Sequence, residues 1–168
     1  MANFCENQET LFKVIHLVLN DHLPDGPLDM AYLFDLSPEN KSSVIDGAVE
    51  YYLSGKVRKL ALNNEGHPAG SISYDECREK LIAKGVSHNN LLTFKPAREF
   101  LAPSVFYSTS SEAEGFARFI KERGFTLVGG IRQPLFQIRG FVSLVSSLFR
   151  NGLQATVRAY NITGSNLP

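Results

Sequence analysis

The side chains best suited to meeting a ligand lie in residues 124–140, GFTLVGGIRQPLFQIRG. Arg132, Gln133 and Arg139 follow a short, nearly uncharged run, residues 125–131. Two further groups have the same position relative to an apolar run, and a third opens a helix. Asp35 and Ser37 follow MAYLF, Asn63, Asn64 and Glu65 follow KLAL, and Thr109 and Glu112 open TSSEAE. Together these residues can orient a polar ligand through Glu112, Arg132 and Arg139 and line its pocket with Asp35 and Asn63. Each also has a plainer reading. Arg132 and Gln133 serve as solvated turn residues, and Asp35 as a turn aspartate bonding nearby amides. Glu112 completes a capping box with Thr109, which accounts for it fully, and Ser111-x-x-Glu114 has the same spacing. Acidic residues at that helix start also disfavour a phosphate there.

Familiar catalytic constellations are missing from the sequence. No G-x-G-x-x-G follows the first strand, and there is no P-loop, no H-E-x-x-H and no G-x-S-x-G. His67 alone among the histidines falls near a strand's carboxyl end, and Cys5 and Cys77 form no zinc or disulfide pattern. Nucleophilic and metal chemistry of the usual kinds therefore lack players, and no metal site is expected.

The elements that must position these residues alternate. Residues 6–22 read as an amphipathic helix with Leu11, Val14, Ile15, Val18 and Leu19 on one face. Residues 28–36 read as a buried strand, followed by Ser37 as N-cap, Pro38 as first helical residue and Gly55 as helix stop. Residues 57–62 form another strand, and Ser73-x-x-Glu76 resembles a capping box. A weak strand spans 90–94, and the long connection 95–109 reads as a lid or an insertion. Residues 125–131 suit a strand covered on both faces, where Gly129 and Gly130 allow close backbone approach. Leu135, Ile138, Val142, Val145 and Phe149 then predict a core-facing stripe. Residues 153–160 alternate as a half-exposed edge strand, and 161–168 read as a loose tail.

This alternation predicts a three-layer Rossmann-like α/β sandwich: a mostly parallel five-stranded sheet with helices on both faces. The expected strand order is 3-2-1-4-5, which places the turns holding Asp35, Ser37, Arg132 and Gln133 in one crevice. The chain, 168 residues, reads as one domain: an N-terminal helix and linker over 1–27, a core over 28–160, and the tail. Lys plus Arg and Asp plus Glu number 17 each, so no global charge points to nucleic acid or an anionic membrane. No apolar run reaches the roughly 20 residues needed to span a bilayer. The start of the chain lacks the pattern of a signal peptide, and the expected setting is cytoplasmic. Oligomeric state is left open.

The order of these motifs resembles the YdcF/SanA/ElyC-like family of bacterial Rossmann-like domains. The resemblance spans roughly residues 28–160. It rests on Tyr32-Leu33-Phe34-Asp35-Leu36-Ser37, Gly55-Lys56-Val57-Arg58-Lys59-Leu60, the loop Asn63-Asn64-Glu65-Gly66, Thr109-Ser110-Ser111-Glu112, and Gln133-Pro134-Leu135-Phe136-Gln137-Ile138-Arg139. Departures are Phe136, where the family usually has histidine, and Asp35 and Asn63, where it has small residues. The resemblance implies a small-molecule ligand of adenosyl or nucleotide-like type, such as S-adenosylmethionine. Phe136 cannot transfer a proton, which favours as an alternative a non-catalytic interaction or oligomerisation module.

Overall fold

In the computed structural model, the described residues are 23–34, 36–37, 41–65, 72–100, 108–133 and 137–164. They form β1 (Met30–Leu33), α1 (Lys41–Leu53), β2 (Leu60–Asn63), α2 (Tyr74–Ala83), β3 (Leu91–Phe94), α3 (Thr109–Arg123), β4 (Leu127–Arg132), α4 (Gln137–Arg150) and β5 (Arg158–Thr163). The sheet order is β3-β2-β1-β4-β5, and every pairing is parallel. This is the expected three-layer Rossmann-like sandwich. The amphipathic segment 6–22, Asp35, Pro38, the loop with His67, residues 101–107 of the long connection, and Pro134 to Phe136 lie outside the described residues.

The strands are short and apolar because both faces are covered. Ala31, Leu33, Leu60, Leu62 and Ile131 pack with Val44, Ile45, Cys77 and Leu81 of α1 and α2. Met30, Tyr32, Phe34, Ala61, Phe94 and Val128 pack with Phe116, Ile120, Leu144 and Leu148 of α3 and α4. Burial pushes the Cys77 thiol up to about 12, so it behaves as a small apolar side chain. Gly55 ends the α1 unit at φ 74°, in the left-handed region that glycine enters without strain.

Local chemistry departs from the sequence expectation at the starts of α3 and α2. The N-cap of α3 is Ser108, not Thr109. Its hydroxyl accepts from Ser111 N at 3.1 Å and its own N–H donates to Ser111 Oγ, so a serine takes the place expected of a glutamate. Glu112 and Glu114 are therefore not caps. At α2, Ser73 does cap Glu76 N at 3.1 Å, but the Glu76 carboxylate turns to Lys80 instead.

The last strand begins five residues later than its alternation suggests. Gly152 turns the chain out of α4 at φ 72°, and Val157 N bonds back to Leu153 O at 2.9 Å. Leu153 and Val157 are buried as the two ends of a turn, which happens to mimic a period of two. Residues 158–163, half of them assigned to a tail by pattern, make the strand that pairs with β4.

The core-facing stripe of α4 is also inverted. Ile138, Val142, Val145 and Phe149 are 44–67% exposed, while Gly140, Leu144, Ser147 and Leu148 face inward. Two of those inward positions are glycine and serine. Gly140 makes room for a strand side chain, and Ser147 Oγ accepts from Arg150 Nη2 at 2.7 Å. The Glu114 carboxylate completes that network, accepting from Arg150 Nη2 at 2.9 Å and Asn151 Nδ2 at 2.7 Å. Burial opposes ionisation of Glu114, but these hydrogen bonds outweigh it and hold its carboxyl below the usual range.

Asp29 fastens the opposite, amino edge of the sheet. Its Oδ2 accepts from Thr126 N and Leu127 N, both at 3.0 Å, and from Thr126 Oγ1 at 3.2 Å. Burial raises its pKa, but the two backbone donors prevail and hold it below the ordinary 3.8. Replacing Asp29 by alanine should therefore cost about 2 kcal/mol of stability near neutral pH. Because the folded-state pKa is depressed, that contribution is present above the unfolded value and fades as pH falls through the folded one. Thermal melts of wild type and Asp29→Ala should converge in strong acid; a gap that widens there would refute the assignment. For Glu114→Ala, loss of the buried acceptor should cost about 2–3 kcal/mol in denaturant titrations at pH 7.

Candidate functional site

The carboxyl edge of a parallel sheet collects the loops that follow its strands, and the strand order reverses between β1 and β4. Side chains on one face of that edge can be followed strand by strand. Ala61 belongs to the core shared with α3 and α4, so Asn63, two residues on, shares that face. Phe34 does the same beyond β1. On β4, Gly130 pairs with Tyr32, and Arg132 follows on the same side. On β5, Asn161 lies beside Gly130.

Arg132 dominates this layer. Its side chain folds back along β4 and is 1% exposed. The guanidinium carbon lies 3.8 Å from the centre of the Phe34 ring, a desolvated cation–π contact. Two glycines make the slot. A Cβ on Gly130 would stand 2.7 Å from the guanidinium carbon. A Cβ on Gly140, in the first turn of α4, would stand 2.5 Å from Arg132 Cδ and would overlap Nε. Nη1 donates to Asn161 Oδ1 at a long 3.4 Å. Nε and Nη2 are buried and have no hydrogen-bond partner among the described residues.

Electrostatics follow from that burial. Desolvation pushes the Arg132 guanidinium down to about 9, opposed by the nearby Tyr32 and Glu112, so it stays protonated at neutral pH. Glu112, in the first turn of α3, is itself buried, and its field reaches Arg132. At the β2 position, Asn63 is 2% exposed. Its Oδ1 accepts from Glu65 N at 2.9 Å, and its Nδ2 has no partner among the described residues.

Among the residues singled out from sequence, the edge gathers Asn63, Glu112, Arg132 and Gln133 as buried polar groups. Ser37 is half-buried at the start of α1, where its carbonyl accepts from Lys41 N at 2.9 Å. Thr109 is half-buried in the first turn of α3. Asn64 is exposed, and Glu65 is drawn aside by Arg98, whose Nε donates to its carboxylate at 2.6 Å. Arg139 is exposed on α4, away from the buried layer. Asp35 lies outside the described residues. Three contributors were not read as site residues: Phe34, Gly140 and Asn161. Asn161 carries a visible signal, a polar residue between Tyr160 and Ile162, but the alternation of 153–160 points to an earlier strand than the one that forms.

A depression of about 480 Å³ lies elsewhere, between the end of β3 and α3. Lys95, Arg118, Phe119 and Arg123 are among its lining residues. Arg118 is already engaged by Glu99 and by Glu114. The chemically unusual groups are at Arg132, and the site is placed there. Compared with protein-family models and with curated proteins, the sequence finds no match.

Fit between Arg132 and Gly140 is directly testable. Gly140→Ala should cost roughly 1–3 kcal/mol by overpacking, although alanine favours helix at an ordinary site. In the Arg132→Met background, whose thioether chain can yield, the same change should cost distinctly less. Equal costs in chemical denaturation of the two backgrounds would show that the glycine does not serve the arginine.

Proposed function

We propose that the chain binds a small molecule at the carboxyl edge of its sheet, on the α3/α4 side of the β1–β4 crevice. One observation carries this reading. Asn63, Glu112, Arg132, Gln133 and Asn161 are all buried and polar; Asn63, Arg132 and Asn161 lie on β2, β4 and β5, Gln133 directly follows β4, and Glu112 lies in the first turn of α3. A core layer made only for stability would be filled there with apolar side chains. The adenosyl or nucleotide-like class comes from the resemblance to the YdcF/SanA/ElyC-like family. Its support within the site is a polar edge with amide and guanidinium donors beside the aromatic ring of Phe34. The proposed activity is recognition, with no reaction assigned.

The test is a thermal-shift panel of S-adenosylmethionine, nucleotides and sugar nucleotides. A true ligand held at about a hundred times its dissociation constant stabilises by roughly 2.7 kcal/mol. Absence of any shift across the panel would sink the reading.

A second reading, a self-associating module, has one observation in its favour. The exposed apolar residues Ile138, Val142, Val145 and Phe149 are spaced four, three and four apart along α4. That is the seam spacing of helices packed side by side, and a two-fold pairing would let the same stripe of a second copy cover it. Light scattering on the purified chain should then report a dimer, and Val142→Glu with Phe149→Glu should give a folded monomer. A wild-type monomer at high concentration would eliminate this reading.

A further inference from the structure

We propose that Arg132 and the first turn of α4 together hold an oxyanion, a carboxylate or phosphate group carried by the ligand. This rests on the reading of the carboxyl edge as a ligand site and specifies what that ligand must bring.

Three observations point the same way. First, the Arg132 guanidinium is fully buried, yet its one hydrogen bond among the described residues is the 3.4 Å contact to Asn161. Nε and Nη2, the edge that a planar oxyanion can grip with two bonds, have no partner among the described residues. Two buried guanidinium donors with no partner among the described residues are costly, and a side chain kept for stability alone would have them satisfied. Second, the guanidinium packs directly against Gly140, within the first turn of α4. The start of a helix carries a partial positive charge from its unbonded N–H groups. No acidic residue lies in that first turn to offset it. A buried cation pressed against a positive helix end is an unfavourable pair until an anion joins them, and both then act on the same group. Third, the slot is built rather than incidental. Gly130 and Gly140 each lack the Cβ that would fill it, and the Phe34 ring backs the guanidinium plane.

Glu112 bears on which anion is favoured. Its field reaches the guanidinium and supports the protonated state, and the same field repels an incoming negative charge. A singly charged oxyanion is therefore favoured over a doubly charged one. Asn63 Nδ2 lies two strands away, roughly 10 Å at ordinary strand spacing. A ligand spanning the edge can meet that donor with a second polar group.

The experiment uses the full chain in thermal-shift titrations at constant ionic strength, with chloride as the balancing salt. One arm titrates inorganic phosphate and adenosine monophosphate, a second titrates acetate and S-adenosylmethionine, and a third titrates neutral adenosine. Saturable stabilisation in the first arm assigns phosphate, and in the second carboxylate; either supports the proposal if Arg132→Met abolishes it. Arg132→Lys, which keeps the charge but loses the fork, should weaken that binding about tenfold. Without ligand, Arg132→Met should melt within a few degrees of wild type, because relief of two buried donors, unpartnered among the described residues, offsets loss of the Phe34 contact and of the cation near Glu112. A fall of many degrees in unliganded Arg132→Met would show the guanidinium to be structural and overturn the proposal. Adenosine alone raising the midpoint, unaffected by Arg132→Met, would also overturn it while leaving the ligand site intact. Silence in all three arms would remove both.

Discussion

Burying one guanidinium sets the layout of the carboxyl edge. A positive charge taken out of water must be compensated, and the side chain must have somewhere to lie. Arg132 lies back along its own strand because Gly130 leaves the groove empty. It stacks on Phe34 because β1 runs beside β4 in register. It reaches Asn161 because β5 flanks the other side. The helix above can come close only where its surface is bare, at Gly140. That requirement fixes which face of α4 looks inward. With glycine and serine turned toward the core, the larger Ile138, Val142, Val145 and Phe149 are left outside.

The two edges of the sheet divide their work. At the amino edge Asp29 matches its donors one for one: two backbone N–H groups, a threonine hydroxyl and Arg58. Between α3 and α4, Glu114, Ser147, Arg150 and Asn151 likewise satisfy one another. Such complete networks are what stability asks for. The carboxyl edge breaks that pattern at Arg132 and Asn63, whose buried donors have no partner among the described residues.

Much of the architecture was legible because it rests on strong local signals. Apolar runs bounded by glycine and proline marked the strands, and their alternation with helices implied the parallel order found in the sheet. Helix stops at Gly55 and the cap at Ser73 were readable from single residues. What failed was orientation. A hydrophobic stripe shows that a helix has two faces, but small residues can claim the inward one when another side chain must fit beneath them. The same limit hid Gly140, whose purpose depends on a residue eight positions earlier on a different element. Arg132 and Gln133 were found because polarity arrives abruptly after an apolar run. Asn161 was missed because a turn between Leu153 and Val157 imitated a strand.

The strand order has a consequence for how the molecule comes into being. Strands β1, β2 and β3 are neighbours in the sheet, so half of it can assemble while synthesis is still under way. Three partners of Arg132 follow it in the chain: Gly140 on α4, Asn161 on β5, and Gly164, whose N–H donates to the Arg132 carbonyl. The surroundings of Arg132 are completed only after the first three strands are in place.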